Sequence, residues 1–368
     1  MSRERIQEFI VRAQALARGR VWGDAAVHYA RAAVAASAMD EEEVARRAWG
    51  AAGEAWRRDD DVDQASKALW MALGIPSEDV DAIALDRIRL AGVLGELGNL
   101  DGARQLCLQC LDELTDDRPV REMALDSLVG VLLGYPDKEA VRPLVVELLR
   151  AEGDSGLAGR FRQGQLLRLD GDLKGAQGEF EAVIVGFGDR AEAAAGVAAA
   201  RGEMAELALY RGRTEEAVSA YEQGMSLHRE AGRRALFFRC VAGRTRGMVE
   251  AGMGVMTETL DGGVSFATHR RMPLLEADLR IARGMALAGV DGARASLDFR
   301  AAITLAEASG SRLRAGRARY EEALRGALPL ASRRQRLVQA ALDLAQSAPL
   351  LARVHAAIQG MAGDQGSR

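Results

Sequence analysis

One short pattern returns down this chain every 36 to 41 residues. It limits the possible folds more than any other feature. Small residues stand at Ala25, Ala65, Ala103, Ala140, Ala176 and Ala217, with steps of 40, 38, 37, 36 and 41. Four residues after each comes a larger, mostly apolar side chain: Tyr29, Leu69, Cys107, Leu144, Phe180 and Tyr221. Seven after, at five of the six, comes a small or apolar one: Ala32, Ala72, Cys110, Val183 and Gly224. Spacings of 4 and 7 put side chains on one face of a helix. Gly98, Gly171 and Gly212 stand five residues before their anchors and mark the turn into that helix. A unit of this length cannot bury its own apolar face, so neighbouring units must stack. The expected fold is therefore all-α. It is a right-handed α-solenoid of about eight or nine stacked antiparallel helix pairs with a C-terminal capping helix.

Composition agrees with thin helix-on-helix layers. Hydrophobic residues make up 48% of the chain, but aromatic residues only 5%. The net charge of −4 does not point to nucleic acid. Of 49 basic residues only Lys67, Lys138 and Lys174 are Lys, which together with abundant Ala and Gly reads as coding bias rather than phosphate recognition. No apolar run approaches the roughly 18 residues of a membrane span. The first twenty residues read as an amphipathic helix and not as a leader. Three cysteines do not make a disulfide framework, and a reducing cytoplasm is the expected location.

The second repeat carries a more specific signal. Trp49, Ala52, Gly53 and Trp56 follow the spacing W-x2-L-G-x2-Y, and Ala65, Leu69, Ala72 and Pro76 follow them. The chain resembles the tetratricopeptide repeat family. Its period is longer than the usual 34, as in the repeats appended to some bacterial signalling regulators. The resemblance implies a single solenoid over 1–361. Its clearest repeats lie in 46–230, and degenerate ones in 231–345, where the period steps to Thr257 and then Ala295. The fourth repeat departs from the pattern at Tyr135-Pro136. A capping helix is expected over 348–361, with Leu351, Val354 and Ile358 on one face, and a disordered tail over 362–368.

Motifs that would carry chemistry have plainer readings. Cys107 and Cys110 form a C-x2-C pair, but both fall on packing positions of a helix and no second pair exists. Gly153-Asp-Ser-Gly156 resembles a protease nucleophile motif, yet it falls where a linker between repeats is expected. Asp59 to Asp63 alternate carboxylates as a calcium loop does, but the required Gly and Glu are missing. No catalytic residue, metal ligand or cofactor is expected, and the protein reads as a non-enzyme.

In the resembled family, helix A of each pair lines a concave groove. Carried over residue by residue, the lining is Arg47, Glu54, Arg57 and Arg58 in the second repeat and Arg89 in the third. Phe161, Arg162, Gln165 and Arg168 follow in the fifth, and Glu203, Glu206 and Tyr210 in the sixth. Arg239 and Arg246 come from the seventh and Arg280 from the eighth. The implied function is a scaffold or adaptor that binds a protein or peptide segment in this groove. The alternative is a peptide- or ligand-sensing module of a bacterial signalling system. Residues 1–150 hold 19 basic and 27 acidic side chains, whereas 151–368 hold 30 and 26. An acidic partner segment on the later repeats is therefore expected, with neither nucleic acid nor membrane as a partner. Self-association stays open.

Overall fold

The computed structural model describes residues 2–115, 119–134, 138–151, 153–188, 190 and 194–363. Among these, nineteen helices and no strand are found. The chain opens with α1 (Arg3–Arg18), α2 (Trp22–Ser37), α3 (Glu42–Arg58), α4 (Val62–Leu73), α5 (Val80–Glu96), α6 (Leu100–Glu113) and α7 (Pro119–Leu132). It continues with α8 (Lys138–Leu148), α9 (Gly153–Asp170), α10 (Leu173–Phe187), α11 (Ala194–Tyr210), α12 (Thr214–Glu230) and α13 (Arg234–Glu250). The remainder are α14 (Glu258–His269), α15 (Pro273–Leu287), α16 (Gly292–Ala308), α17 (Arg312–Arg325), α18 (Leu330–Asp343) and α19 (Ala348–Gly363). Two compact units contain them. One comprises the described residues of Met1–Leu128, Glu230–Arg234 and Arg270–Met272; the other, those of Val129–Arg229, Ala235–His269 and Pro273–Arg368.

The turn inside five of the pairs follows one backbone recipe. Gly98, Gly171 and Gly212 have φ of 80°, 90° and 73°, the left-handed region that stops a helix. The next amide reaches back to a carbonyl five residues earlier: Asn99 to Leu94 at 2.8 Å, Asp172 to Leu167 at 3.0 Å, Arg213 to Ala208 at 2.8 Å. Arg20 and Asp60 occupy the same place, five residues before Ala25 and Ala65, with φ of 60° and 58°. The geometry therefore holds even where the glycine is absent. The residue after the turn often caps the next helix. Asp61, Asn99 and Asp172 accept hydrogen bonds from the amides of Gln64, Gly102 and Gly175.

The anchors are the contact points between helices. Ala25, Ala65, Ala103, Ala176 and Ala217 are fully buried. Opposite them, glycines on the preceding helix make room for the large residue. A Cβ on Gly53 would lie 2.5 Å from Leu69, one on Gly164 2.6 Å from Phe180, and one on Gly284 2.7 Å from Phe299. Phe180 and Phe299 are among the largest fully buried side chains. These three helix pairs are thus locked by a large residue seated on a glycine, and close packing makes that register specific.

Three local expectations are corrected. Ala140 is exposed, and Val141, Val145 and Leu148 form the buried stripe of α8, so the fourth repeat is shifted by one residue. The larger Val141 can reach the core that Ala140 cannot. In the seventh repeat Thr257 precedes α14, whose buried stripe is Leu260, Val264 and Ala267. Asp261 thereby escapes the core position that the sequence phase gave it. Gly153 to Gly156 are not a linker but the first turn of α9. Tyr135 and Pro136 lie outside the described residues. At the C-terminus α19 runs on to Gly363, and residues 364–368 lie outside the described residues.

Candidate functional site

Within the second unit, α9, α11, α12, α13, α15 and α17 turn polar side chains into one cavity of about 490 Å³. Nine of the fifteen sequence-predicted groove residues line it: Phe161, Arg162, Gln165, Arg168, Glu203, Glu206, Tyr210, Arg239 and Arg246. They converge because they flank the small residues at which their helices cross. Arg162, Gln165 and Arg168 stand at −2, +1 and +4 from Gly164, so they share the open face of α9. Glu203 and Glu206 stand at −2 and +1 from Ala205 on α11.

The polar groups form a connected set. Arg246 binds Glu206 with two nitrogens, and Tyr221 donates its hydroxyl to the same carboxylate at 2.6 Å. Arg317 stands farther off, 3.8 Å from Glu206. Arg168 pairs with Glu203 at 3.0 Å, and Gln165 donates to Glu203 at 2.7 Å. Arg162 donates to Gln165 at 3.1 Å and stacks on Phe161, 5.5 Å from the ring centre. Phe161 in turn packs on the buried Phe180. Arg314 holds Asp278 through its Nε at 3.0 Å. Burial alone would push the Glu206 carboxyl up, but Arg246, Arg317 and the Tyr221 hydroxyl reverse this and hold it far below the usual range. Burial would likewise depress the Arg246 guanidinium, and the Glu206 charge raises it instead. Glu206 and Arg246 are therefore both charged at neutral pH.

The cavity carries more positive than negative charge. Arg162, Arg168, Arg239, Arg246, Arg314 and Arg317 face three acids, Glu203, Glu206 and Asp278. Phe161, Tyr210, Leu313 and Leu350 add apolar surface.

The other six predicted residues lie elsewhere. Arg47 pairs with Glu43, and both Arg57 and Arg58 pair with Glu54. Arg58 also stacks on Trp22, 4.6 Å from the ring centre. Arg89 is held by Asp86 at 3.1 Å. These five belong to the first unit. Arg280 is in the second unit but is turned to Glu276 and Asp298.

Sequence reasoning missed Arg314, Arg317, Asp278, Tyr221, His228 and Leu350. A signal existed for two of them. Arg314 and Arg317 stand at −2 and +1 from Gly316, the offsets of Arg162 and Gln165 from Gly164. Leu350 comes from the helix expected to cap the stack. The buried face of α19 meets Leu337, Ala340 and Leu344 of the α18 segment, and also Tyr210. Arg353 fastens it there. It donates to the Leu209 carbonyl at 2.9 Å, pairs with Glu250 at 3.1 Å and lies over the Tyr210 ring.

The C-x2-C pair is buried. Cys107 and Cys110 are inaccessible, and burial pushes their thiols up to about 12 and about 11. Among the described residues no group of three or more His, Cys, Asp or Glu could hold a metal ion. No helix among them is long and apolar enough to cross a membrane.

No protein-family model matches this chain. No curated protein matches it in sequence either. Solved structures do resemble it. Rap protein complexed with competence and sporulation factor is 12% identical, covers 99% of both chains and superposes with a TM-score of 0.62. A tetratricopeptide repeat protein from Parabacteroides merdae ATCC 43184 is 16% identical over 82% of this chain and 93% of that one, with a TM-score of 0.42. With its small-on-large helix pairs and left-handed turns, this chain has the tetratricopeptide-like helical-repeat fold, as the Rap protein does.

Proposed function

We propose that this protein is a non-enzymatic binding module that takes a short anionic segment of a partner protein into the cavity of its second unit. One observation carries this: six guanidiniums face three carboxylates around one half-open cavity. Like charges gathered around one cavity repel one another, and an anionic ligand relieves that cost. Phe161 and Tyr210 offer flat apolar faces beside the charges, which suits a side chain next to an acidic group. The solved Rap structure of the same fold holds competence and sporulation factor, which supports ligand binding by such a stack. Three free, buried thiols suit a reducing compartment such as the cytoplasm.

A ligand-sensing module is the second reading. The cavity of about 490 Å³ is in the range of small-ligand sites. Its walls run from α9 through α11, α12, α13, α15 and α17 to α19, so a ligand would bridge helices distant in sequence. Affinity purification from the source cells, eluted with a salt gradient and read by mass spectrometry, tests the first reading. Co-purification of a protein that leaves at moderate salt supports the adaptor. Capture of only a small molecule or free peptide favours the sensor. Capture of neither overturns both.

A further inference from the structure

The walls of the cavity are not equally secured. α19 supplies one of them, through Leu350. Only Leu350 and Val354 of its described residues are buried, whereas α16 buries seven. Those two join Leu337, Ala340 and Leu344 in an apolar cluster. Toward α11 and α13 the helix is fastened by one charged side chain. Arg353 donates to the Leu209 carbonyl and pairs with Glu250, so a single guanidinium holds the C-terminal ends of both helices. A cation there also opposes the negative end of each helix. Ala348 meets the turn between α9 and α10, where a Cβ on Gly171 would lie 3.4 Å from its own. A segment with so few buried side chains and a polar fastening is one that opens locally. Tyr210 connects the fastening with the cavity. Its ring lies under Arg353, its side chain interacts with Arg168, and it lines the cavity together with Leu350. Arg353 itself does not line it.

We propose that α19 is a movable wall of this cavity, and that its docking is coupled to what the cavity holds. Docked, it brings Leu350 to the cavity and fixes Tyr210 under Arg353. A ligand that touches both residues then bridges α11 and α19. Undocked, it takes Leu350 away and frees the Tyr210 ring, so the same ligand loses contacts on two sides. A ligand that binds one of two states better shifts the balance toward it, and the effect is reciprocal. Occupancy therefore tightens α19, and release of α19 weakens the ligand. Arg353 is a positioning residue: it acts on the ligand through Tyr210 and Leu350 without reaching it. This rests on the binding role proposed above and gives that role a means of regulation.

The test uses the full chain. Arg353→Gln removes the fastening, and Arg213→Gln, outside the cavity, is the control. Gly171→Cys with Ala348→Cys brings two sulfurs close to the separation a disulfide needs. Its oxidised form locks α19 down, and comparison with its own reduced form cancels the strain of a side chain at φ 90°. The first readout needs no ligand. Cys240 lines the cavity and packs with Leu209, whereas Cys107 and Cys110 belong to the first unit. Each protein is treated with iodoacetamide, and modification of each cysteine is followed by mass spectrometry. In Arg353→Gln, Cys240 should react at least about tenfold faster than in the parent, with Cys107 and Cys110 unchanged. Cys240 should react more slowly in the oxidised disulfide form than in the reduced one. An unchanged Cys240 rate, or equal acceleration at all three cysteines, would overturn the movable wall. The second readout is calorimetric binding of tetraglutamate. Arg213→Gln should bind it as the parent does, Arg353→Gln at least about tenfold more weakly, and the oxidised disulfide form more tightly than the reduced one. Binding of equal strength throughout would overturn the coupling. If tetraglutamate binds none of the proteins while the Cys240 rates change as expected, the anionic-ligand reading falls and the movable wall stands. If neither readout responds, both fall.

Discussion

Tyr221 on α12 donates its hydroxyl hydrogen to the Glu206 carboxylate of α11 at 2.6 Å. Its ring occupies the space that a Cβ on Gly243 would need. One side chain thus serves two ends. It is the large residue of the repeat pattern, and it supplies a donor to the cavity wall. Tyr221→Phe keeps the packing and removes the donor. A hydrogen bond to a charged group contributes about 1.5–3 kcal/mol. Urea denaturation should show a loss near the low end of that range, because Arg246 still holds Glu206. A loss near zero would mean that water replaces the hydroxyl.

Phe180→Ala should be far more damaging. The ring is fully buried and seated on Gly164, so its removal should cost roughly 3–5 kcal/mol. Trp56→Ala should cost less, because Trp56 is only partly buried. Repeat arrays open locally, so hydrogen exchange should quicken around α9 and α10 while α3 and α4 keep their protection. Uniform quickening over the whole chain would contradict local opening.

Arg20→Gly should stabilise the protein. Arg20 sits at φ 60°, where a side chain costs roughly 1–2 kcal/mol and glycine does not. The larger conformational freedom of glycine in the unfolded chain offsets part of this, leaving a gain of about 0.5–1 kcal/mol. A lower melting temperature would show that the Arg20 side chain makes a worthwhile contact.

Acid should weaken the first unit through Glu54. Burial would raise its carboxyl, but Arg57 and Arg58 outweigh burial and lower it from 4.5 to about 2. A depressed carboxyl stabilises the fold above its unfolded value and loses that contribution as pH falls toward its folded one. The loss from this group should therefore run from about pH 4.5 down to about 2. Asp86 acts in the opposite sense, since burial raises it despite Arg89 and Arg46. Comparing Glu54→Gln with the parent isolates the effect. The variant should show a smaller drop in urea midpoint across that interval. Equal drops would mean that the pairing with Arg57 and Arg58 contributes nothing.

The helix stack was legible because its signal is periodic and local. Anchor, large residue and glycine turn recur at fixed offsets, and five of the six anchors are buried as the spacing required. Phase failed where composition thinned. Ala140 and Thr257 fit the period, but Val141 and Leu260 had more apolar surface to bury. At the site, helix-face arithmetic brought nine residues to one cavity, yet it could not tell which charges were already paired. Arg57, at +4 from Gly53, and Arg89, at −2 from Ala91, have the offsets of Arg168 and Arg162, but they are neutralised by neighbours on their own helices. Arg314 and Arg317 were within reach through Gly316. Leu350 and Arg353 were not, because nothing in the sequence of α19 indicates that it packs beside Tyr210.

The most direct measurement of the proposed function is a hydrogen-exchange footprint of the protein with its co-purified partner bound. Slower exchange should gather on the cavity-facing stretches 161–168, 203–210, 239–246 and 314–317, and the Arg239→Gln variant should weaken it. Protection confined to α2 through α6, with these four stretches unchanged, would place the binding surface in the first unit and contradict the proposal.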